Sequence, residues 1–472
     1  MIKLKSNKHK KIIFIICIFA ILLSFLVVYL LFYHKKPVKV SKITATPNRA
    51  SPKNDIINYF AEIKPLSIEK PVKSNNHDSY LKDNDYWTNL LSDKNKLIMT
   101  KDQIGIFNKN NTDNIESLYD LDEFPHTLSS NTVLNYINKY TFPNSTMYDE
   151  SNNTIETSTY NKIKENMSLT SMPSTMDIKY GITLTRTSLK RFPSEIQADY
   201  RKPIIHDRFQ ETAIDSCEKI IILHESKDKK WSFIIAYNYM GWVKNKDICV
   251  SDLNSINYFA NPKDFIMILQ NAAELTKEGM QYKYFMGTKL PIEYTMGDKN
   301  KPLVYIPVVD DKGKLCKKPV TLSKDLDYSI GYLDYTRENV IKQAFKQLGT
   351  PYCWGDANNG RDCSSFIAST FKTMGIYLPR NTDEQELVNF KSINLRDLSA
   401  KDKTKKISTL KPGDILFIDG HVVMYLGDYN NSKYIIHNSP LNTSCTAVSR
   451  YDIAIKNNIT YIDLYTKCTI LE

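Results

Sequence analysis

The stretch Thr350–Arg380, TPYCWGDANNGRDCSSFIASTFKTMGIYLPR, decides how the C-terminal part of this chain folds. Its first half is rich in Gly, Asn and Asp and reads as a turn-rich loop. The loop delivers Asp362-Cys363-Ser364-Ser365 onto the first turn of a helix. After Cys363 the apolar residues Phe366, Ile367, Phe371 and Met374 recur at three- and four-residue spacing, one face of an amphipathic helix. Gly375 ends that helix and Pro379 follows, the expected stop signals. A thiol at a helix N-terminus sits in the positive end of the macrodipole, which predicts a lowered pKa and a nucleophilic cysteine. The alternative is a buried cysteine that only packs.

Two later histidines bear on that choice. Pro412-Gly413-Asp414 precedes a short apolar strand, Ile415-Leu416-Phe417-Ile418. Asp419-Gly420 then signals a turn, His421 opens a second strand, HVVMYLG, and a third, Tyr434–His437, ends on His437. A cysteine on a helix facing a histidine on an adjacent strand, with another polar group orienting that histidine, is the general arrangement of an activated thiol. Each histidine alone has a plain alternative as a satisfied core or surface residue.

Taken together, Tyr352-x-Trp354-Gly355, Asp362-Cys363-Ser364-Ser365, PGD-strand-GHVVMYLG and IIHNS resemble the NlpC/P60 papain-like cysteine peptidases of bacterial cell walls. The resemblance covers about residues 329–472 and implies an α+β papain-like core. It implies Cys363 as nucleophile, His421 as general base and His437 as the group orienting His421. It also implies that Tyr352, with the Cys363 backbone N–H, stabilises the tetrahedral intermediate. Asp362 and Ser364 match positions that hold the free amine of an N-terminal L-Ala. Trp354, Arg380 and Thr382 complete the expected substrate-binding set. No metal or organic cofactor is implied. Asp356 stands where the family pattern has the second Gly of W-G-G, and Ser365 where it has the Gly after D-C-S. Both departures bear on pocket shape more than on chemistry. Cys353, next to Tyr352, reads either as a small apolar filler or as a redox partner of Cys363.

The 472 residues leave room for three or four domains, and the formal charge of +11 suits an anionic wall polymer or membrane surface. No base-reading motif points to nucleic acid. Eight cysteines are scattered without CxxC or Cys/His spacing, which argues against a disulfide framework or a zinc centre. Cys217 and Cys249 lie in one β-rich unit, where they could pair. Ile12 to Tyr33 is an uncharged apolar run preceded by Lys3, Lys5, Lys8, Lys10 and Lys11. It is long enough for a hydrocarbon core of ~30 Å, and the flanking lysines leave the N-terminus in the cytoplasm. With no small-residue cleavage site after it, it reads as an uncleaved single-pass anchor rather than a signal peptide.

Proline-rich, polar residues 34–78 read as a linker. Residues 79–170 read as a small helical domain and connector, with helical segments at DYWTNLLSDKNKLI and TVLNYINKY. Lys219–His224, Trp231–Ala236 and Gly241-Trp242-Val243 are short β-rich runs between turn clusters. Together with DRFQETAI they resemble a bacterial SH3 domain. The expected layout is therefore a cytoplasmic tail (1–11), an anchor (12–33), a linker (34–78), a helical segment (79–170), two SH3-type barrels (171–252 and 253–328) and a catalytic domain (329–472). The resemblance implies a membrane-anchored, outward-facing endopeptidase. It would cut the γ-D-glutamyl–diamino acid bond of peptidoglycan stem peptides or muropeptides, with the free L-Ala amine as the recognised end. Two other readings fit the same residues: a non-catalytic wall-binding protein, or a cysteine amidase or transferase on the same scaffold.

Overall fold

The computed structural model describes residues 81 and 83–472, apart from 278–279, 296–297, 441–443 and 456–458. The expected cytoplasmic tail, anchor and linker lie outside the described residues. Among the described residues, no helix is long and apolar enough to cross a membrane.

The chain opens with α1 (Asn84–Asn89), α2 (Lys101–Asn114), strand β1 (Thr127–Ser129), α3 (Ser130–Ile137), β2 (Tyr148–Asp149), α4 (Thr157–Met167) and β3 (Thr175–Asp177). Thr100 and Gln103 close a reciprocal capping box on α2. These helices are expected as one small domain, but they divide between two cores, each shared with a larger neighbour. Trp87, Leu91, Ile104 and Phe107 are buried with Val340, Phe366 and Val422 of the C-terminal domain. Val133, Ile137, Ile163 and Met167 are buried with Phe192, Phe233 and Trp242 of the first β unit. Short helices with so few apolar side chains cannot cover one another, so each hides its stripe against a larger neighbour. The expected connector includes α4.

Strands β4 (Lys179–Thr183), β5 (Thr187–Lys190), β6 (Ala198–Asp199), β7 (Gln210–Ile214), β8 (Lys219–Glu225), β9 (Trp231–Ala236), β10 (Tyr239–Lys244) and β11 (Ile248–Val250) follow. All but β6 form one seven-stranded antiparallel sheet, in the order β11-β4-β8-β9-β10-β5-β7. Strand β9 is buried along its whole length because its period-two faces serve two cores. Trp231, Phe233 and Ile235 meet α3 and α4, while Ile234 and Ala236 meet Leu189, Ile220 and Val243. Gly241 suits this position, since at φ +154° a Cβ would come 2.9 Å from the backbone oxygen of Lys190 as well as into the Leu189 side chain.

Helix α5 (Leu253–Ala260) leads to β12 (Phe265–Ile268), β13 (Ala272–Lys277), β14 (Met280–Phe285), β15 (Lys289–Thr295), β16 (Asp298–Val309), β17 (Leu315–Val320) and β18 (Tyr328–Ile330). They form a five-stranded sheet, β17-β16-β15-β12-β18, and a β13–β14 ribbon. Asp310 makes the turn between β16 and β17, its Oδ1 accepting from the amides of Lys312 and Lys314 at 2.9 and 2.8 Å. Cys217 and Cys249 are buried in the same core, yet both are free thiols, so the pairing is not formed.

The C-terminal domain comprises α6 (Arg337–Phe345), α7 (Cys363–Lys372), α8 (Thr382–Gln385), β19 (Lys391–Asn394), α9 (Ala400–Ile407), β20 (Ile415–Ile418), β21 (His421–Tyr429), β22 (Ser432–Ser439), β23 (Cys445–Arg450), α10 (Tyr461–Leu464) and β24 (Tyr465–Ile470). Its antiparallel sheet runs β19-β24-β20-β21-β22-β23. Thr336 caps α6 by accepting from the Asn339 amide. Val422, Met424 and Leu426 bury one face of β21 in the core shared with α7, and Val423 and Tyr425 bury the other. Asp414 of the PGD turn is structural: its Oδ1 receives the Leu471 amide at 2.9 Å and pairs with buried Arg337 at 2.8 Å.

Candidate active site

Asp362 is the N-cap of α7, its Oδ1 accepting from the Ser365 amide at 3.0 Å. Cys363 is therefore the first helical residue and is buried. Its sulfur lies 3.7 Å from Thr382 Oγ1, at the start of α8, and the Val422 amide is directed at it from β21. Burial, then the Asp362 charge, pushes the thiol up to about 11. The expected lowering by the helix dipole is thus overturned, because a thiolate in this position loses its hydration beside an acidic neighbour.

His421 opens β21 and His437 lies on β22, both buried, with His421 Nε2 3.0 Å from His437 Nδ1. The other nitrogen of His437, Nε2, is 3.3 Å from Ser449 Oγ on β23. The Tyr461 ring lies 5.8 Å from His421 and 6.0 Å from His437, centroid to centroid. Burial, and then His437, holds His421 well below the usual imidazole range, while burial alone holds His437 down to about 3. These directions favour a neutral thiol and neutral imidazoles in the free protein.

Tyr352 is tied in place by its amide, which donates to Ser444 O at 2.8 Å. Burial of its phenol, then the nearby Cys363 and Asp362, keeps the hydroxyl protonated. Trp354 points to the first β unit, its Nε1 donating to Gln210 O at 3.2 Å. Tyr352 and Trp354 line a cleft of about 380 Å³ whose opposite wall includes Lys190, His206, Asp207 and Trp231.

The expected binding pair Asp362 and Ser364 is already engaged. Arg380 Nη2 donates to Asp362 Oδ2 at 2.6 Å, and its Nη1 to Asp362 Oδ1 at 3.1 Å and Ser364 Oγ at 2.8 Å. Arg380 Nε donates to Thr212 Oγ1 of β7 at 2.6 Å. Although burial opposes it, Arg380 holds the Asp362 carboxyl below its usual range. A ligand ammonium at Asp362 would compete with Arg380. Cys353 and Cys363 are both free thiols.

Several residues at the site carry no motif. Arg186, Thr212 and Asp215 of the first β unit reach the catalytic side, as do His206 and Arg208 near Trp354. The one signal for this interface was a carboxylate, Asp356, standing where the family pattern has glycine. Among the described residues, no three His, Cys, Asp or Glu side chains gather as a metal site.

Comparison with known proteins places these features. Residues 349–454 match the model of the NlpC/P60 family, and residues 202–244 match an SH3 domain of the SH3b1 type. Dipeptidyl-peptidase 6 of Lysinibacillus sphaericus is 23% identical over 235 residues, covering 48% of this chain and 80% of that protein. The gamma-D-glutamyl-L-lysine dipeptidyl-peptidase of Bacillus subtilis (strain 168) is 38% identical over 101 residues, 20% of this chain and 30% of that protein. Apart from the Lysinibacillus protein, the chain spans about a third or less of the length of the curated relatives it matches. In fold it is similar to an NlpC/P60 endopeptidase from Photobacterium damselae subsp. piscicida, with a TM-score of 0.67 and 20% identity over 82% of this chain and 96% of that one. Residues 349–454 are an NlpC/P60-family peptidase domain, joined in one multidomain chain to an SH3 domain of the SH3b1 type over residues 202–244.

Proposed function

We propose that the chain is a cysteine endopeptidase that hydrolyses the γ-D-glutamyl–diamino acid bond of peptidoglycan stem peptides. The observation that carries this reading is the buried pair His421 Nε2–His437 Nδ1 at 3.0 Å, at the start of the strand whose next residue, Val422, contacts the Cys363 thiol at the α7 N-terminus. In this mechanism Cys363 Sγ attacks the γ-carbonyl of D-Glu. His421, whose Nε2 is engaged by His437, takes the thiol proton through Nδ1 and returns it to the leaving amine. The Cys363 amide and the Tyr352 hydroxyl hold the oxyanion. The resulting thioester is cleaved by a water that His421 deprotonates.

The first β unit forms one wall of the site, through Trp354–Gln210 and Arg380–Thr212, and favours short stems with a free L-Ala amine over chains still linked to glycan. The name of the Bacillus relative, gamma-D-glutamyl-L-lysine dipeptidyl-peptidase, fits that bond and that substrate length. The lysine-flanked run at residues 12–33 would hold the enzyme on the outer side of the bacterial membrane, facing the wall.

The test compares the full chain with Cys363→Ala on L-Ala-γ-D-Glu-diamino acid peptides, on the same stems carrying N-acetylmuramoyl, and on intact wall, with products read by mass. Release of L-Ala-γ-D-Glu by the wild type alone is expected. Equal rates on free and muramoyl-linked stems would remove the free-amine preference. Wall binding without any product would favour the non-catalytic reading.

A further inference from the structure

The carboxylate of Asp356 lies against the turn that presents the thiol. Its Oδ1 accepts from the Asp362 amide at 3.0 Å and from the Ser365 hydroxyl, the residues that cap and close the first turn of α7 around Cys363. Asp356 has φ +58°, a left-handed conformation that glycine adopts at little cost and other residues do not. A side chain retained there must offset that cost through its contacts, and here all of them are buried.

Those contacts reach into the first β unit. Arg186, in the turn between β4 and β5, places Nη2 3.4 Å from Asp356 Oδ2 and 3.4 Å from Gly360 O. It also pairs with Asp215, and its guanidinium stacks 4.4 Å from the centroid of Phe285 on β14. Both Arg186 and Asp356 side chains are only 4% exposed. Arg380 and Arg361 complete the surroundings at 3.5 and 3.9 Å from Asp356. Three arginines thus balance Asp215, Asp356 and Asp362, so removing a single charge leaves its partners buried and uncompensated.

We infer that Arg186 is a positioning residue for the reaction proposed above: through Asp356 it fixes the Asp362–Ser365 turn, so the first β unit sets where the Cys363 thiol stands. The inference rests on that functional reading for its kinetic consequence but not for its structural one. Two measurements on the full chain therefore test it separately.

In Arg186→Met, kcat on the stem peptide should fall about tenfold while KM stays within about twofold, the signature of a displaced nucleophile rather than a lost binding contact. The ratio of iodoacetamide labelling at Cys363 to that at Cys316 should shift by about threefold or more, read by peptide mapping at one pH. Arg186→Lys, which keeps the charge at Asp215 but lacks the planar fork, should recover part of both. If Arg186→Met does not fold, Asp356→Asn carries the same two read-outs, because it keeps the shape without the charge. Unchanged kcat and labelling ratio in a folded variant would overturn the inference. Absence of peptide cleavage by the wild type would remove the functional reading, and the labelling ratio would still judge the positioning.

Discussion

His421 Nε2 and His437 Nδ1 lie 3.0 Å apart between two buried rings that both stay neutral at physiological pH. For His437 to stabilise a protonated His421, its Nδ1 must accept, which puts its own hydrogen on Nε2, 3.3 Å from Ser449 Oγ. Ser449 then selects the tautomer, as outer hydrogen bonds do for other functional histidines. His437→Ala removes the acceptor inside the buried site and should lower kcat by about 10²-fold. His437→Asn keeps a carbonyl acceptor and should retain more activity than Ala. Equal activity of His437→Ala and wild type, with the fold intact by circular dichroism, would show that His421 needs no orienting partner.

The resting protonation states give a pH test. Because burial and Asp362 push the Cys363 thiol up to about 11, thiolate in the free enzyme accumulates only as pH rises toward that value. Iodoacetamide labelling of Cys363 should therefore keep climbing from pH 6 to about pH 9 without levelling off. His421, held below the usual 6.5, remains a competent base on the acid side of that value. Hydrolysis should accordingly reach its plateau below pH 6.5, and the two profiles should separate. A labelling plateau already below pH 7 would instead indicate a preformed thiolate–imidazolium pair.

The catalytic elements were legible because their signals are local. The apolar spacing after Cys363 and the Asp419-Gly420 turn mark α7 and the β20–β21 hairpin where the structure has them. The sequence predicted the wrong direction for the thiol pKa, because helix position is local whereas burial depends on α8 and β21 folding over the sulfur. The partner of Arg380 was hidden for the same reason. Thr212 lies far away in sequence, and nothing in QETAI marks one threonine as a hydrogen-bond acceptor for the catalytic domain. The segments read as helical overlap α1 and α3 but neither α2 nor α4, and nothing local marks the surfaces that cover any of the four.

Arg380 and Asp362 form a two-bonded buried pair that also caps the nucleophile helix, so their energies should couple. Asp362→Asn keeps an adequate cap but leaves Arg380 with Asp356 as its remaining carboxylate partner. Each single substitution should cost roughly 3–5 kcal/mol in chemical denaturation. Asp362→Asn combined with Arg380→Gln should cost less than the sum of the two, by about 1–3 kcal/mol. Strict additivity would mean that the pair is not formed in solution.

Trp87 tests whether the first helices belong to the catalytic domain. Its ring is fully buried and 5.8 Å from Tyr434 on β22, and its Nε1 donates to Leu81 O at 3.4 Å. Gly427, with φ +119°, leaves the space beneath it; a Cβ there would stand 3.0 Å from Leu90 Cδ1 and 3.9 Å from Trp87 Cε3. If α1 only decorated the surface, truncating Trp87 would cost little. Because the ring fills the core shared with Val340, Phe366 and Val422, Trp87→Ala should destabilise the C-terminal domain by about 3–5 kcal/mol. Gly427→Ala should act in the same direction, from backbone strain and the clash with Leu90 together. Trp231, Trp242 and Trp354 would dominate the fluorescence that remains, so unfolding around α1 is best followed by hydrogen exchange at the amides of β21 and β22. Unchanged protection there in Trp87→Ala would return α1 to the status of a dispensable appendage.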